Sequence, residues 1–384
     1  MSELYYLDHA AATPLDARVL AAMQPYFSEQ FFNPSSPYAP AVMVRRTYED
    51  AKHRLAMCIG GKGDELVLTA GATESINLMF GSVEGHVVTT TIEHPAVIAA
   101  AKQHEHTLVS VDAKGRVEPA MIAKALRPDT QLVSVALANN EIGTIQPLRD
   151  IATAIETERR RRADAGDNTP LYFHSDASQG VGQIDVHVAR LGVDALTVNA
   201  GKLYGPKQTA FLWAAPHVKL QPYIVGGGQE RGLRSGTENV ASVIGFVTAL
   251  ELAVAHRNSE SKRLTLLRDA MQSALTRAFP DAIVSGALKK RLPGHLHISF
   301  PALDAERLIF ALEANGVMVA TGSACAANKG TRSHVLTAIG MAPEVADGSL
   351  RITFGRLNDS ETCAQAAAIL VDTITREQER VGIR

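Results

Sequence analysis

Short apolar runs rich in β-branched residues alternate along this chain with longer stretches of helical periodicity. ELVLTA (65–70), HVVTTT (86–91), TLVSVD (107–112), QLVSVALA (131–138), LYFHSDAS (171–178) and ALTVNA (195–200) read as strands. Each runs into a polar or Gly-containing turn, as strands of a mostly parallel sheet do. Helical patterns fall between them at 75–80, 95–103 and 147–162. Further on come a helical stretch over Val240–Ala278, a strand HLHISFPA (295–302) and a helix over 305–313. A strand running into a loop (316–330), a strand LRITFGR (350–356) and a final helix over 360–379 complete the chain. The alternation predicts an α/β protein. We divide it into a large domain over 15–255, with a mixed, mostly parallel sheet, and a smaller α+β domain from 1–14 and 256–384.

Composition narrows the function. Over 384 residues, 38 Lys and Arg against 40 Asp and Glu give a formal charge of -2. A nucleic-acid wrapper or a polybasic membrane binder needs a strong excess of one sign, so both are excluded. No apolar run is read as long enough to span a bilayer, and the start MSELYYLDHAAATP lacks a basic-then-apolar leader pattern. The three cysteines, Cys58, Cys325 and Cys363, form no C-x-x-C pair, so neither a disulfide framework nor a zinc site is expected. The expected compartment is a reducing cytoplasm. Four consecutive arginines, Arg159 to Arg162, read as a solvated helix end.

Several positions carry candidate chemistry. Lys202 follows a strand, and open α/β sheets place ligands at the carboxyl ends of strands. Asp176 ends the preceding strand. Such a pair is what a pyridoxal phosphate (PLP) site needs: an amine to bond the aldehyde and a carboxylate to hold the ring nitrogen protonated. The bland reading of Asp176 is a helix cap. Gly71-Ala72-Thr73 links a strand to a helix, where backbone N–H groups and the Thr73 hydroxyl suit phosphate; a plain cap fits too. His94 ends another strand and can stack on a flat ring or move protons as a catalytic residue, or be an ordinary loop histidine. Arg351 offers a fork for a carboxylate, with Asn33 as a second donor; a surface Arg and a turn Asn are the alternatives. Cys325 sits among Gly, Ser and Ala, which leaves a thiol accessible, whereas Cys58 and Cys363 fall in helical apolar patterns.

Taken together, LDHAAATP, FNPSS, GATES, EHPAV, NNEIG, SDASQ, the Lys202 stretch, GGGQERGLRSGT and GSAC stand in the order and spacing of one family. From about Tyr6 to Arg356 the chain resembles the group I cysteine desulfurases of the NifS/IscS type. The resemblance implies a PLP-dependent enzyme of aminotransferase class V, with fold type I, working as a homodimer. It assigns Lys202 as the Schiff-base lysine, Asp176 as the partner of the ring nitrogen and His94 as the stacking residue. Asn140 and Gln179 match residues near the phenolic oxygen. Ala72, Thr73 and Asn199 fall at the phosphate, with Thr237 reaching it from the other subunit. Arg351 and Asn33 match the substrate carboxylate site, and Cys325 the nucleophile. The implied reaction turns L-cysteine into L-alanine and leaves a persulfide on Cys325, for an iron–sulfur scaffold or a tRNA-thiolation relay.

The sequence departs from that family in places. Gly201 stands where a phosphate-holding His precedes the lysine, Asn199 where the family has Ser, and Gln208 where it has Gly. Weaker cofactor retention is therefore expected. The tail after the last helix is short beside relatives that dock an iron–sulfur scaffold through a longer one. Two other readings stand beside the first: another class V PLP reaction, such as selenocysteine lysis or transamination, and a weakened homologue that acts as a binding partner.

Overall fold

The computed structural model describes residues 4–322 and 332–383. Twelve strands are numbered in chain order: β1 (Tyr5–Tyr6), β2 (Leu66–Thr69), β3 (His86–Thr90), β4 (His106–Val109), β5 (Thr130–Ser134), β6 (Tyr172–Asp176), β7 (Ala195–Asn199), β8 (Ala210–Ala214), β9 (Ile283–Val284), β10 (His295–Ser299), β11 (Val317–Met318) and β12 (Ser349–Thr353). Seven form the main sheet, in the order β2-β8-β7-β6-β5-β3-β4. β8 runs antiparallel to both β2 and β7, and the remaining neighbours are parallel. The fold is the mixed, mostly parallel α/β sheet that the sequence predicts. β8 itself, Ala-Phe-Leu-Trp-Ala, follows the Lys202 turn too closely to stand out as a separate run.

Side-chain alternation gives each strand two buried faces. In β2, Leu66 and Leu68 enter one core, while Val67 enters the other. In β7, Leu196 and Val198 face the first core and Ala195 the second. The first core is closed by the helices Ala39–Ile59 and Val240–Ala278, through Leu55, Ile59, Phe246 and Leu250. The second is closed by Ala72–Phe80 and Pro95–Ala101.

A third core lies beside a three-stranded antiparallel sheet, β12-β10-β9. Leu296, Ile298, Leu350 and Ile352 pack there against Leu267, Met271 and Leu275, and against Leu370 and Ile374 of the helix Ser360–Arg380. β1 pairs with β11 and brings the N-terminal segment to this core. The helix Val240–Ala278 serves two cores: Val240 to Ala253 in the first, Leu264 to Leu275 in the third. Its most apolar window has a mean hydropathy of 1.4, enough by length and composition to cross a bilayer, contrary to the sequence expectation. That window is 61% buried inside the protein, as the central helix of a core is.

The arginine run differs from its expected role as a solvated end. Arg160 and Arg161 are exposed and pair with Glu156 and Glu158. Arg162 is buried, and its guanidinium donates to the carbonyls of Arg127, Thr130 and Thr169 and to Glu158. Arg159 reaches the Leu171 carbonyl and Asp194. Helical periodicity points two of the four inward, where their planar forks gather several backbone carbonyls.

Among the described residues, His86, His174, His295 and His297 lie fully inside the fold, and the last three bear most on its pH stability. Ser134 Oγ and Thr197 Oγ1 meet the two ring nitrogens of His174, each at 2.9 Å. His295 and His297, on β10, have no ring partner among the described residues. Burial lowers all three, to about 4 for His174 and about 3 for His295 and His297, from 6.5. The unfolded chain therefore binds more protons below pH 6.5, and stability is lost as pH falls through that window towards the folded values. Each ring contributes up to about 1.4 kcal/mol per pH unit. Urea denaturation at neutral pH and at about pH 5 is expected to show a drop of several kcal/mol; a flat profile would mean these rings are already charged in the fold.

Candidate active site

Parallel strands carry their carboxyl ends to one edge of the sheet, and there the turns after β2, β3, β5, β6 and β7 surround a cavity of about 720 Å³. Nine of the predicted residues line it: Ala72, Thr73, His94, Asn140, Asp176, Gln179, Asn199, Lys202 and Arg351.

Lys202 ends a short turn, Ala200–Lys202, that caps β7. Asn199 Oδ1 accepts from the Gly201 N–H at 2.8 Å and fixes that turn. Thr13 Oγ1 donates to the Gly201 carbonyl at 3.1 Å. The Lys202 ammonium donates to the Ala11 carbonyl at 2.5 Å. Burial first, then Arg351, lowers its pKa, while Asp8 and Asp176 oppose the shift. A lowered pKa increases the share of free amine available to attack an aldehyde. A side chain at Gly201 would meet Asn199 Oδ1 at 3.3 Å, so that position has little room in its present form.

Asp176 closes β6, and its Oδ1 accepts from the Ser178 N–H at 2.9 Å, so the capping reading holds alongside its place in the cavity. His94 likewise does two things. Its Nδ1 accepts from the Ala96 N–H at 3.1 Å, capping the helix Pro95–Ala101, while the ring lines the cavity. Burial lowers its pKa, Asp176 pulls it back, and Lys202 and His334 lower it again.

Gly71 precedes the helix Ala72–Phe80 with φ 149°, and no side chain caps that helix. A Cβ at Gly71 would meet nothing within 4 Å. Open space before an uncapped helix N-terminus is where an anion gains most from the dipole. Amine, carboxylate, flat imidazole and anion-accepting helix end together fit pyridoxal 5'-phosphate. Lys202 would carry it, Asp176 would hold its ring nitrogen, and Thr73 with the helix end would hold its phosphate.

Arg351, in the middle of β12, is only 3% exposed. Its Nη2 donates to Asp8 Oδ1 at 2.7 Å and its Nη1 to the Asn140 carbonyl at 3.2 Å. Its Nε is buried without a partner among the described residues. A buried cation with spare N–H capacity at a cavity wall suits a carboxylate.

Two predicted residues, Asn33 and Thr237, stand elsewhere. Asn33 is exposed and spends its Oδ1 on the Ser35 N–H at 2.9 Å, in an Asx turn, away from the cavity lining. Thr237 is exposed in the segment before the long helix and does not line the cavity. That segment reaches the rim through Arg234, whose Nε donates to Glu74 Oε1 at 2.8 Å. Cys325 lies outside the described residues. Cys363 is buried and Cys58 partly buried, and burial pushes both thiols up to about 11.

Sequence reasoning passed over Asp8, the Ala11 carbonyl and Glu141. Glu141 is 2% exposed and accepts from Ser333 Oγ. A Cβ at Gly322 would stand 2.7 Å from Glu141 Oε2, so a larger residue there would have to displace that carboxyl group. Gly322 and Ser333 thus both meet one carboxylate at the cavity wall. The signal was within NNEIG, read for Asn140 alone.

The fold and this site define a PLP enzyme built on an open α/β sheet, and comparison with known proteins agrees. The aminotransferase class-V model matches residues 5–365. A cysteine desulfurase IscS of Dictyoglomus turgidum is 39% identical over 373 residues, 94% of this chain and 92% of its own length. Cysteine desulfurase IscS 1 of Archaeoglobus fulgidus is 38% identical over 383 residues, 97% of each chain. A solved NifS-like protein superposes with a TM-score of 0.89 at 32% identity, covering 97% of this chain and 99% of its own. The chain belongs to the aminotransferase class-V family, in its cysteine desulfurase branch, and is a PLP-dependent enzyme of fold type I.

Proposed function

We propose that the chain converts L-cysteine to L-alanine and takes the sulfur onto Cys325 as a persulfide. One observation carries this reading: Lys202, Asp176 and Arg351 arrive from three separate strands at one cavity. Bound there, pyridoxal 5'-phosphate supplies an electron sink for the substrate α-carbon. Arg351 holds the substrate carboxylate. Lys202 takes the α-proton and returns it. The Cys325 thiolate attacks the substrate sulfur: an S–S bond forms, the substrate C–S bond breaks, and its electron pair stays on carbon until a proton joins it. The sulfur then passes to an acceptor protein, an iron–sulfur scaffold or a tRNA-thiolation relay.

A homodimer belongs to the same reading. Thr237 is exposed beside the cavity rim, and Tyr223 and Val225 near it are 48% and 80% exposed. Apolar side chains standing out beside a site support a partner subunit there. We also assign the cavity's sheet to a large domain over 15–255, and the Cys325 stretch to a small one over 1–14 and 256–384. Alanine release from L-cysteine, with a thiol reductant present, tests the function. Alanine without sulfur transfer, or turnover of a different amino acid alone, would overturn it.

Gly201 leaves one phosphate donor fewer, and the Asn199 side chain is held in the turn through its Oδ1, which accepts from the Gly201 N–H. The protein is expected to lose cofactor on dialysis, with a PLP-to-protein ratio well below one. Full occupancy after dialysis without added cofactor would show that the helix end and Thr73 suffice.

A further inference from the structure

A second cavity, of about 270 Å³, adjoins the first at Lys202. It shares Ala10, Gln179 and Lys202 with the first. Its walls come from the N-terminal segment, the long helix and the end of β12. His295 and His9, 2% and 6% exposed, line it, while His256 and Ser259 of the long helix bring exposed positions to its outer rim.

The deep wall is polar and unsatisfied. Both ring nitrogens of His295, and His9 Nε2, have no partner among the described residues. A buried polar atom without a hydrogen bond costs about 1–3 kcal/mol. The cavity has room for several waters, at about 30 Å³ each in the liquid. Charge does not point to an ion. Arg356 is paired with Asp16 at 3.0 Å, and Glu260 with Arg263 at 2.7 Å. Burial holds His9 down at about 4 and His295 at about 3, so both rings are neutral. A neutral imidazole offers one donor and one acceptor, which is what a water relay needs.

We propose that this chamber is a water-filled passage through which Lys202 exchanges protons with bulk solvent. The Lys202 ammonium gives a proton to chamber water, which passes one outward; the amine takes one back by the reverse route. The inference rests on the reading that Lys202 handles the substrate α-proton. It adds to that reading a path separate from the substrate's own.

Ala253, on the long helix, lines the chamber. Leucine suits a helix and would fill part of the space, whereas Ala255→Leu, at an exposed position of the same helix, serves as control. With L-cysteine deuterated at Cα, the parent's alanine is expected to keep little label. Ala253→Leu is expected to keep several-fold more, since the deuteron stays longer on Lys202, and the control to match the parent. Equal retention in all three would overturn the passage. Two readouts need no turnover. A crystal structure of the cofactor-free protein is expected to show waters bonded to His9 and His295. In Ala253→Cys, mass spectrometry is expected to find the introduced thiol modified by a small methanethiosulfonate. A dry chamber and an unmodified thiol would overturn the passage while leaving the desulfurase reading intact. Failure of alanine release with a wet, reactive chamber would overturn the desulfurase reading alone.

Discussion

Cys325→Ala is expected to lower alanine release from L-cysteine by at least about a thousandfold, as loss of a covalent nucleophile does. The cofactor's yellow colour is expected to remain, because every residue assigned to hold it is untouched. Gly322 abuts Glu141, and Glu141 lines the cofactor cavity. Three extended residues span at most about 10 Å, so the Cys325 backbone is tethered within that distance of Gly322. The other two thiols offer no substitute: burial raises both, and Cys363 lies in the third core. Measuring alanine and enzyme-bound persulfide side by side checks this. A variant that releases alanine at the parent rate would remove Cys325 from the chemistry.

Lys202→Ala is expected to cost more in a different way, removing both the bond to the cofactor and the proton carrier. General acid–base catalysis alone contributes up to about 10⁴-fold. Cofactor is expected to leave on dialysis as well. Lys202→Arg keeps the charge but not a nucleophilic amine, so it is expected to be equally inactive. Added methylamine is expected to restore a small part of the activity of the Ala variant, since it supplies an amine to the space the side chain vacates. Parent-like turnover in Lys202→Arg would mean that the charge, not the amine, matters.

Every strand of the main sheet except β8 was legible, because each of those six is a β-rich run ending at a turn, and such turns are where ligands collect. That is why Lys202, Asp176, Thr73 and His94 are legible in the sequence alone. What escaped was made by distance along the chain. Asp8 and Arg351 are 343 residues apart, and no local pattern pairs them. The carbonyl of Ala11 carries no side-chain signal, yet it is what Lys202 meets. Arg162 looked like its three neighbours, and only the helix's turn of about 100° per residue separates it from them. Asn33 differs from these: a motif match identified the residue, and within this chain its Oδ1 accepts from the Ser35 N–H of its own turn.

The helix Val240–Ala278 has 39 residues, about 58 Å of rod. Helices ordinarily fray from their ends. This one is clamped at both ends by separate cores, and it has no buried residue between Ala253 and Leu264. Its amides near His256 to Lys262 should therefore be the first of the rod to trade hydrogen with deuterated solvent, inverting the usual profile from the outside in to the middle out.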